Sequence, residues 1–377
     1  MSGAVPVATP GQVLGWRLKR NLLDGEHGVN AEAIVNRLCG VQAQVASSAT
    51  LAVSIRMAEP DPAATASELA VGRLVKTWAM RGTLHLLGAD ELATYLSVLA
   101  PIRVWSRPAW ARASGVEPVR MEALIEFVGE ALRGKVLTRE ELVAVVVADP
   151  GFADLGEQLR SGWGSILKPM AWQGLLCYGP DRGTNVTFTS PTTLLSDWPG
   201  LKSPAEASGQ VITRYLGAYG PATPRTFDAW LTRNSHKVTT LRSWFADLGE
   251  RLAIVEVDGE QRFILAEHLD ELLSTREPNQ TCLVGGFDQL ILGPGTRDAH
   301  LVPEEHRSLV SRTAGWITPA LIHNGRVTGT WEMCDDTVVV QLFPGCRPPP
   351  AKQLQKAVRR IGAASGTEVR GHKLISV

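Results

Sequence analysis

Three short helical segments followed by a β-hairpin form a pattern that occurs three times in the first 277 residues, and this repetition limits the fold more than any other feature of the chain. The middle copy is the plainest. Leu124, Ile125, Val128 and Leu132 recur at the spacing of one helical face over 122–132. Thr138, with Glu141 three residues on, is a capping-box pattern that starts a second helix, and a third is expected over 159–173. Extended runs at 175–178 and 185–189 flank Gly179-Pro180-Asp181-Arg182-Gly183, a hairpin with a flexible tip. In the next copy a helix near 204–219 leads to Gly220-Pro221-Ala222-Thr223-Pro224, where Thr223 caps a helix over 225–231 and Pro224 takes its first position. A helix over 237–248 follows, then a hairpin of 252–257 and 261–265 around Asp258-Gly259. The first copy is less regular: helices near 10–23, 31–39 and 46–57, and a hairpin across 76–87 turning at Arg81-Gly82-Thr83.

Three helices closed by a two-stranded wing describe a winged helix, a unit used both for DNA binding and for protein packing. After Pro278 the texture becomes that of strands: 281–284, 289–292, 317–323, 326–332 and 338–343, with Asn324-Gly325 as a tight turn. A small antiparallel β-barrel is the expectation. A helix over 351–361 carries Lys352, Lys356, Arg359 and Arg360, and a last strand is expected over 369–377. The expected class is mainly α with β (α+β), divided into three winged-helix units at 1–117, 118–200 and 201–277 and a barrel with a basic helix at 278–377.

Several function classes lose support. The 377 residues are 44% hydrophobic and 20% charged, as in an ordinary globular protein. No run of 18 uncharged apolar residues occurs, and residues 1–10 carry no basic residue ahead of an apolar stretch, so neither a membrane span nor a signal peptide is expected. The five cysteines are widely spaced, with no CxxC pair and no Cys/His ladder. Neither a zinc site nor a disulfide framework is indicated, and a reduced, cytoplasmic setting is expected. Walker A, GxGxxG, HExxH and GxSxG patterns are missing, so no cofactor and no metal are expected. Net charge is zero but uneven: +3 over 1–120, −8 over 121–310 and +5 over 311–377. A surface for duplex DNA would have to be a local basic stripe.

Several stretches together resemble the AlkZ-like DNA glycosylases. Leu38-Cys39-Gly40-Val41-Gln42-Ala43-Gln44 resembles the Gln-x-Gln motif of that family. Trp78-Ala79-Met80-Arg81-Gly82-Thr83-Leu84-His85-Leu86 resembles a second signature. Gly220-Pro221-Ala222-Thr223-Pro224-Arg225, with Phe227, Ala229, Trp230 and Leu231, resembles a third. Gly286-Phe287-Asp288 with Leu290, Leu292, Gly293, Arg297 and Asp298, and then Gly325-Arg326-Val327-Thr328-Gly329-Thr330-Trp331, follow in the family's order. The resemblance implies three winged-helix units in a C shape closed on one side by a β-barrel. It also implies excision of N7-alkylated purines from duplex DNA, unhooking of interstrand crosslinks in some members, no cofactor, and Gln42 and Gln44 as the catalytic pair. A sister branch carries an acidic residue in place of the second Gln. Gln44 makes this chain similar to the branch associated with self-resistance to DNA-alkylating antibiotics.

Two neutral amides are sufficient only for such a substrate. Glutamine does not titrate near neutrality and is no strong base. A purine alkylated at N7 is already cationic and leaves as a neutral base, so the leaving group needs no proton. What remains is to hold one water against C1′ of the developing sugar cation, by positioning and fixed dipoles. Residues i and i+2 lie about 200° apart on a helix, so Gln42 and Gln44 can share a cavity only from an extended segment or a turn. Gly40 is the expected end of the preceding helix. Taken without the motif, the same three residues read as a polar connector.

Other candidates are weaker in kind. Arg81, Thr83 and His85 belong to the first hairpin, whose tip could meet a minor groove or a phosphate, or form an internal ion pair. His323, Asn324 and Arg326 crown the barrel hairpin expected to probe DNA beside a lesion. Asp288, Arg297 and Asp298 read as structural ion pairing. The basic face of the last helix reads as solvated, or as a stripe following phosphates. Of eleven tryptophans, Trp105 and Trp110 are the ones expected outside the core. A monomer without membrane association is expected. The competing reading is a winged-helix transcription regulator without chemistry, binding a palindromic site as a dimer; a catalytically silent family member is a third.

Overall fold

The computed structural model describes residues 4–162 and 164–376. Residues 1–3 of the opening segment, Trp163 in the expected 159–173 helix, and Val377 at the end of the expected last strand lie outside the described residues. Helix accounts for 47% of the chain and strand for 18%, which makes the class the mixed, helix-dominated one read from sequence. The chain divides into two compact units: residues 67–211, and residues 1–66 together with 212–377.

In the 67–211 unit, strands Leu74–Trp78 and Leu84–Gly88 pair antiparallel. The buried Trp78 ring packs against Tyr178 and Phe188 at 5.3 and 6.2 Å. The first hairpin thus shares a core with the middle copy of the helix-and-hairpin pattern. That copy holds helices Pro118–Ala131, Arg139–Val147 and Lys168–Trp172 and a small sheet of Leu137–Thr138, Thr187–Thr189 and Cys177–Tyr178. The capping box forms as expected: Glu141 N donates to Thr138 Oγ1 at 3.2 Å, and Thr138 N donates to a Glu141 carboxylate oxygen at 2.7 Å. The continuous helix expected over 159–173 is instead two short ones, Gly156–Arg160 and Lys168–Trp172. Gly164 between them has φ +60, and a Cβ there would lie 2.2 Å from the Trp78 ring, so the backbone leaves the helix to pass close to that indole.

In the other unit, helix Pro10–Arg20 is capped by Thr9 and Gln12 in a second capping box. Helices Ala31–Arg37 and Ala46–Ser54 follow. The last copy of the helix-and-hairpin pattern contributes helices Pro224–Thr232 and Val238–Ala246 and the hairpin Leu252–Val257/Glu260–Leu265. Both turn residues, Asp258 at φ 51 and Gly259 at φ 75, are left-handed, as a type I′ turn requires. Asp228 ties the two helices, accepting from His236 Nδ1 at 2.7 Å and from Thr232 Oγ1 at 2.5 Å.

The C-terminal strands Thr281–Val284, Ala320–His323, Arg326–Cys334, Thr337–Leu342 and Gly371–Ser376 lie side by side in chain order. The first four are antiparallel, and the last joins in parallel after helix Ala351–Ser365 crosses back. Among the described residues no pairing links the first strand to the last. The strand expected at 289–292 is a helical turn, Gln289–Leu292, because the Asp288 carboxylate caps it by accepting from Leu290 N at 2.9 Å. Leu14, Leu18 and Ile55 from the first part of the chain are buried in one core with Leu283, Val340 and Ile361. Among the described residues no helix is long and apolar enough to cross a membrane.

Candidate active site

The helix Ala31–Arg37 ends in a Schellman arrangement: Cys39 N donates to Asn36 O at 3.1 Å and Gly40 N to Val35 O at 2.9 Å. The left-handed position that glycine usually fills is taken by Cys39, at φ 55, with Gly40 also positive at φ 86. The two reversed residues turn the chain out of the helix into the extended pair Val41–Gln42. Ala43 follows, Gln44 lies at a bend, and Val45 opens helix Ala46–Ser54 without a side-chain cap. Neither glutamine is helical. Gln42 is 5% exposed and Gln44 is exposed, so the pair runs from the interior to the surface.

The segment is held from behind. Tyr219 donates its hydroxyl proton to the Leu38 carbonyl at 2.6 Å, and burial pushes its phenol well above the ordinary range, keeping that proton in place. The Tyr219 ring in turn fills the space over Gly293, where a Cβ would meet it at 2.2 Å. At the other end, Arg56 follows helix Ala46–Ser54 and forms a two-pronged ion pair with Asp288, both wholly buried. Arg17 binds the carbonyls of Tyr219, Gly220 and Pro221 and the Asp298 carboxylate. The structural pairing expected of Asp288 and Asp298 is therefore made with Arg56 and Arg17, and Arg297 takes no part in it. No Asp or Glu occurs between residues 33 and 58, and the Asp288 carboxylate is committed to Arg56.

The other expected residues are placed elsewhere. In the 67–211 unit, Arg81 has φ 58 at a tight turn and is partly exposed, and Thr83 Oγ1 donates to Met80 O at 3.1 Å. Gly82 of that turn rests near Trp172, whose indole donates to Ala79 O. His85 is fully buried. Its Nδ1 donates to Thr83 O at 2.9 Å, and burial together with the nearby Arg81 pushes its pKa down to about 3. Its ring offers no surface to a duplex, because both faces of the strand are covered. His323, Asn324 and Arg326 do crown a hairpin, with Asn324 at φ 51 and Gly325 at φ 78. Its tip is not a free probe: a Cβ on Gly325 would lie 2.8 Å from both Leu14 and Pro278. Asn324 and Arg326 are exposed, while His323 Nδ1 is bonded to Thr281 Oγ1 at 2.9 Å. Trp105, expected outside the core, is buried in it, and Trp110 packs against the same core. Of the last helix's basic residues, Arg360 is bonded to the carbonyls of Ile55 and Met57, and Lys352, Lys356 and Arg359 are exposed.

Sequence reasoning passed over Trp316, which is 47% exposed and meets Phe287 edge-on at 5.0 Å. Phe287 follows Gly286, whose side-chain position faces Ser48 Oγ in the first turn of helix Ala46–Ser54. Nothing in the local sequence of Trp316 separates it from a core tryptophan.

Comparison with known proteins agrees with this picture. The model of the family described as "DNA glycosylase AlkZ-like" matches residues 35–364. An interstrand DNA cross-link repair glycosylase of Streptomyces sahachiroi is 49% identical over 356 residues, covering 94% of this chain and 96% of that protein. The solved structure of the Streptomyces sahachiroi DNA glycosylase AlkZ superposes with a TM-score of 0.95 at 48% identity, covering 98% of this chain and all of the other. The motif-bearing residues, the fold and these likenesses together establish that the chain belongs to the AlkZ-like family of DNA glycosylases.

Proposed function

We propose that this protein hydrolyses the N-glycosidic bond of N7-alkylated purines in duplex DNA, with Gln42 and Gln44 positioning the water. The observation that carries the reading is the non-helical Gln42-Ala43-Gln44 segment, with one amide buried and the next exposed immediately ahead of a helix. An amide fixed from the interior can orient a partner that reaches the surface. A Gln carbonyl oxygen accepts a hydrogen bond from the water and so directs the water's lone pair at C1′ as the bond to N9 lengthens. The water oxygen ends on C1′, one proton passes to solvent, and the alkylated purine departs neutral. Neither amide can form a Schiff base with the sugar, so the product is an abasic site. The regulator reading has no place for this segment and is set aside with the family assignment.

The relative's name extends the proposal to crosslinks. A crosslink anchored through N7 carries the same cationic leaving group, so cleavage at one anchored purine would unhook it. The test is incubation with duplex containing 7-methylguanine, followed by alkaline cleavage of abasic sites. Base release is expected, reduced on the order of 10²-fold or more in Gln42→Ala and Gln44→Ala, the scale of losing one preorganised transition-state partner. Undiminished release by both variants would remove the site assignment. No release from either simple or bulky N7 adducts would remove the substrate assignment.

A further inference from the structure

We propose that a cavity of about 590 Å³ between the N-terminus of helix Pro224–Thr232, the wing strand Glu260–Leu265 and the loop 294–300 binds a backbone phosphate of the duplex. The inference rests on the duplex-DNA reading above, and it places an interaction that the glutamine mechanism does not use. Four guanidinium groups line the cavity, from Arg17, Arg225, Arg262 and Arg297, against two carboxylates, Glu260 and Asp298.

Both carboxylates are already committed. Asp298 accepts from Arg17 Nη1 at 2.6 Å and from the backbone N–H groups of His300 and Leu301. Glu260 accepts from Arg262 Nε at 2.9 Å, leaving both Nη groups of Arg262 available. Arg225 and Arg297 are exposed, and among the described residues neither has a hydrogen-bond or ion-pair partner. Two full positive charges thus stand uncompensated in a concave site, where low-dielectric walls focus their field. Arg225 and Thr226 sit in the first turn of a nine-residue helix, whose dipole adds to the potential. Planar guanidinium donors match phosphate oxygens in geometry, and a phosphodiester brings one negative charge with oxygens to accept several of them. A solvated basic face would lie on a convex surface with its charges dispersed; these four line one concavity.

The experiment titrates fluorescent undamaged duplex with the full-length protein at several salt concentrations. Arg225→Gln, Arg297→Gln and the double variant are compared with wild type. Each is a surface change that leaves the buried ion pairs untouched. Several-fold weaker binding is expected for each single variant, with the slope of log affinity against log salt falling by about 0.9 for each phosphate that is no longer neutralised. Single-turnover base release at saturating protein is expected to stay at the wild-type rate, and Arg225→Lys to restore most of the slope. Unchanged affinity and slope in the double variant overturns the proposal. So does millimolar inorganic phosphate binding that the double variant loses while duplex affinity stays unchanged, since the cavity would then take free phosphate. Either result in an enzyme that still releases base leaves the glutamine reading standing.

Discussion

Arg56 and Asp288 are 232 residues apart in sequence, and their side chains meet through two parallel hydrogen bonds of 2.8 Å with no exposure to solvent. The pair joins the end of the helix behind the glutamine segment to the Gly286-Phe287-Asp288 turn. Removing one partner leaves an uncompensated buried charge, a loss of about 3–5 kcal/mol. Arg56→Ala and Asp288→Ala are each expected to lower the urea midpoint by that amount of stability. The double replacement by apolar residues is expected to recover part of it. Equal midpoints for wild type and single variants would show the pair to be dispensable.

Tyr219 gives a more selective handle. Replacing it with Phe leaves the Leu38 carbonyl buried without its donor, at about 1–3 kcal/mol. The larger effect is expected on catalysis, because the carbonyl lies four residues before Gln42. A fall in kcat with KM nearly unchanged is the expected signature in steady-state assays on alkylated duplex. Gly293→Ala, which pushes a methyl into the Tyr219 ring, is expected to reproduce it.

Amides do not ionise in the working range, so the proposed mechanism has no titrating base in its chemical step. The single-turnover rate on 7-methylguanine duplex is expected to be level between about pH 6 and 9, where a carboxylate or imidazole catalyst would impose a bell or a shoulder. Chelation of divalent cations is expected to leave the rate unchanged; among the described residues no cluster of His, Cys, Asp or Glu is arranged to hold a metal ion. A sloping profile, or inhibition by chelator that added metal reverses, would require a different mechanism.

His85 makes folding, not catalysis, sensitive to acid. Its ordinary pKa is 6.5, and burial pushes it down to about 3 in the folded protein. Between those values the unfolded chain takes up a proton that the folded chain refuses. Stability is therefore complete above pH 6.5 and declines as pH falls toward 3, by up to about 1.4 kcal/mol per pH unit. Urea titrations at pH 7 and pH 5.5 should show this decline in wild type and a smaller one in His85→Asn.

The local grammar of the chain was legible. Asp258-Gly259 and Asn324-Gly325 turn as their dipeptides require, and Thr138 and Thr223 cap their helices, because these signals act within a few residues. The glutamine segment was legible as a connection between helices from Gly40 as the end of the preceding helix. Where expectation failed, the deciding partner was, with one exception, distant. Alternation cannot show that both faces of Leu84–Gly88 are covered, so His85 read as available for DNA. The partners of Asp288 and Asp298 lie more than 200 residues upstream and leave no trace beside them. One failure was local: Gln289–Leu292 reads as a strand although Asp288, the residue just before it, caps it as a helical turn.

That residues 1–66 share one compact unit with 212–377 has a consequence for biosynthesis. Leu14, Leu18 and Ile55 emerge from the ribosome long before the strands against which they pack. At ordinary synthesis rates the interval is on the order of tens of seconds. Throughout it the amino-terminal helices hold apolar surface with no lasting partner. The segment 38–45 is thus among the earliest parts made, while the strands that complete the core of its unit are among the last.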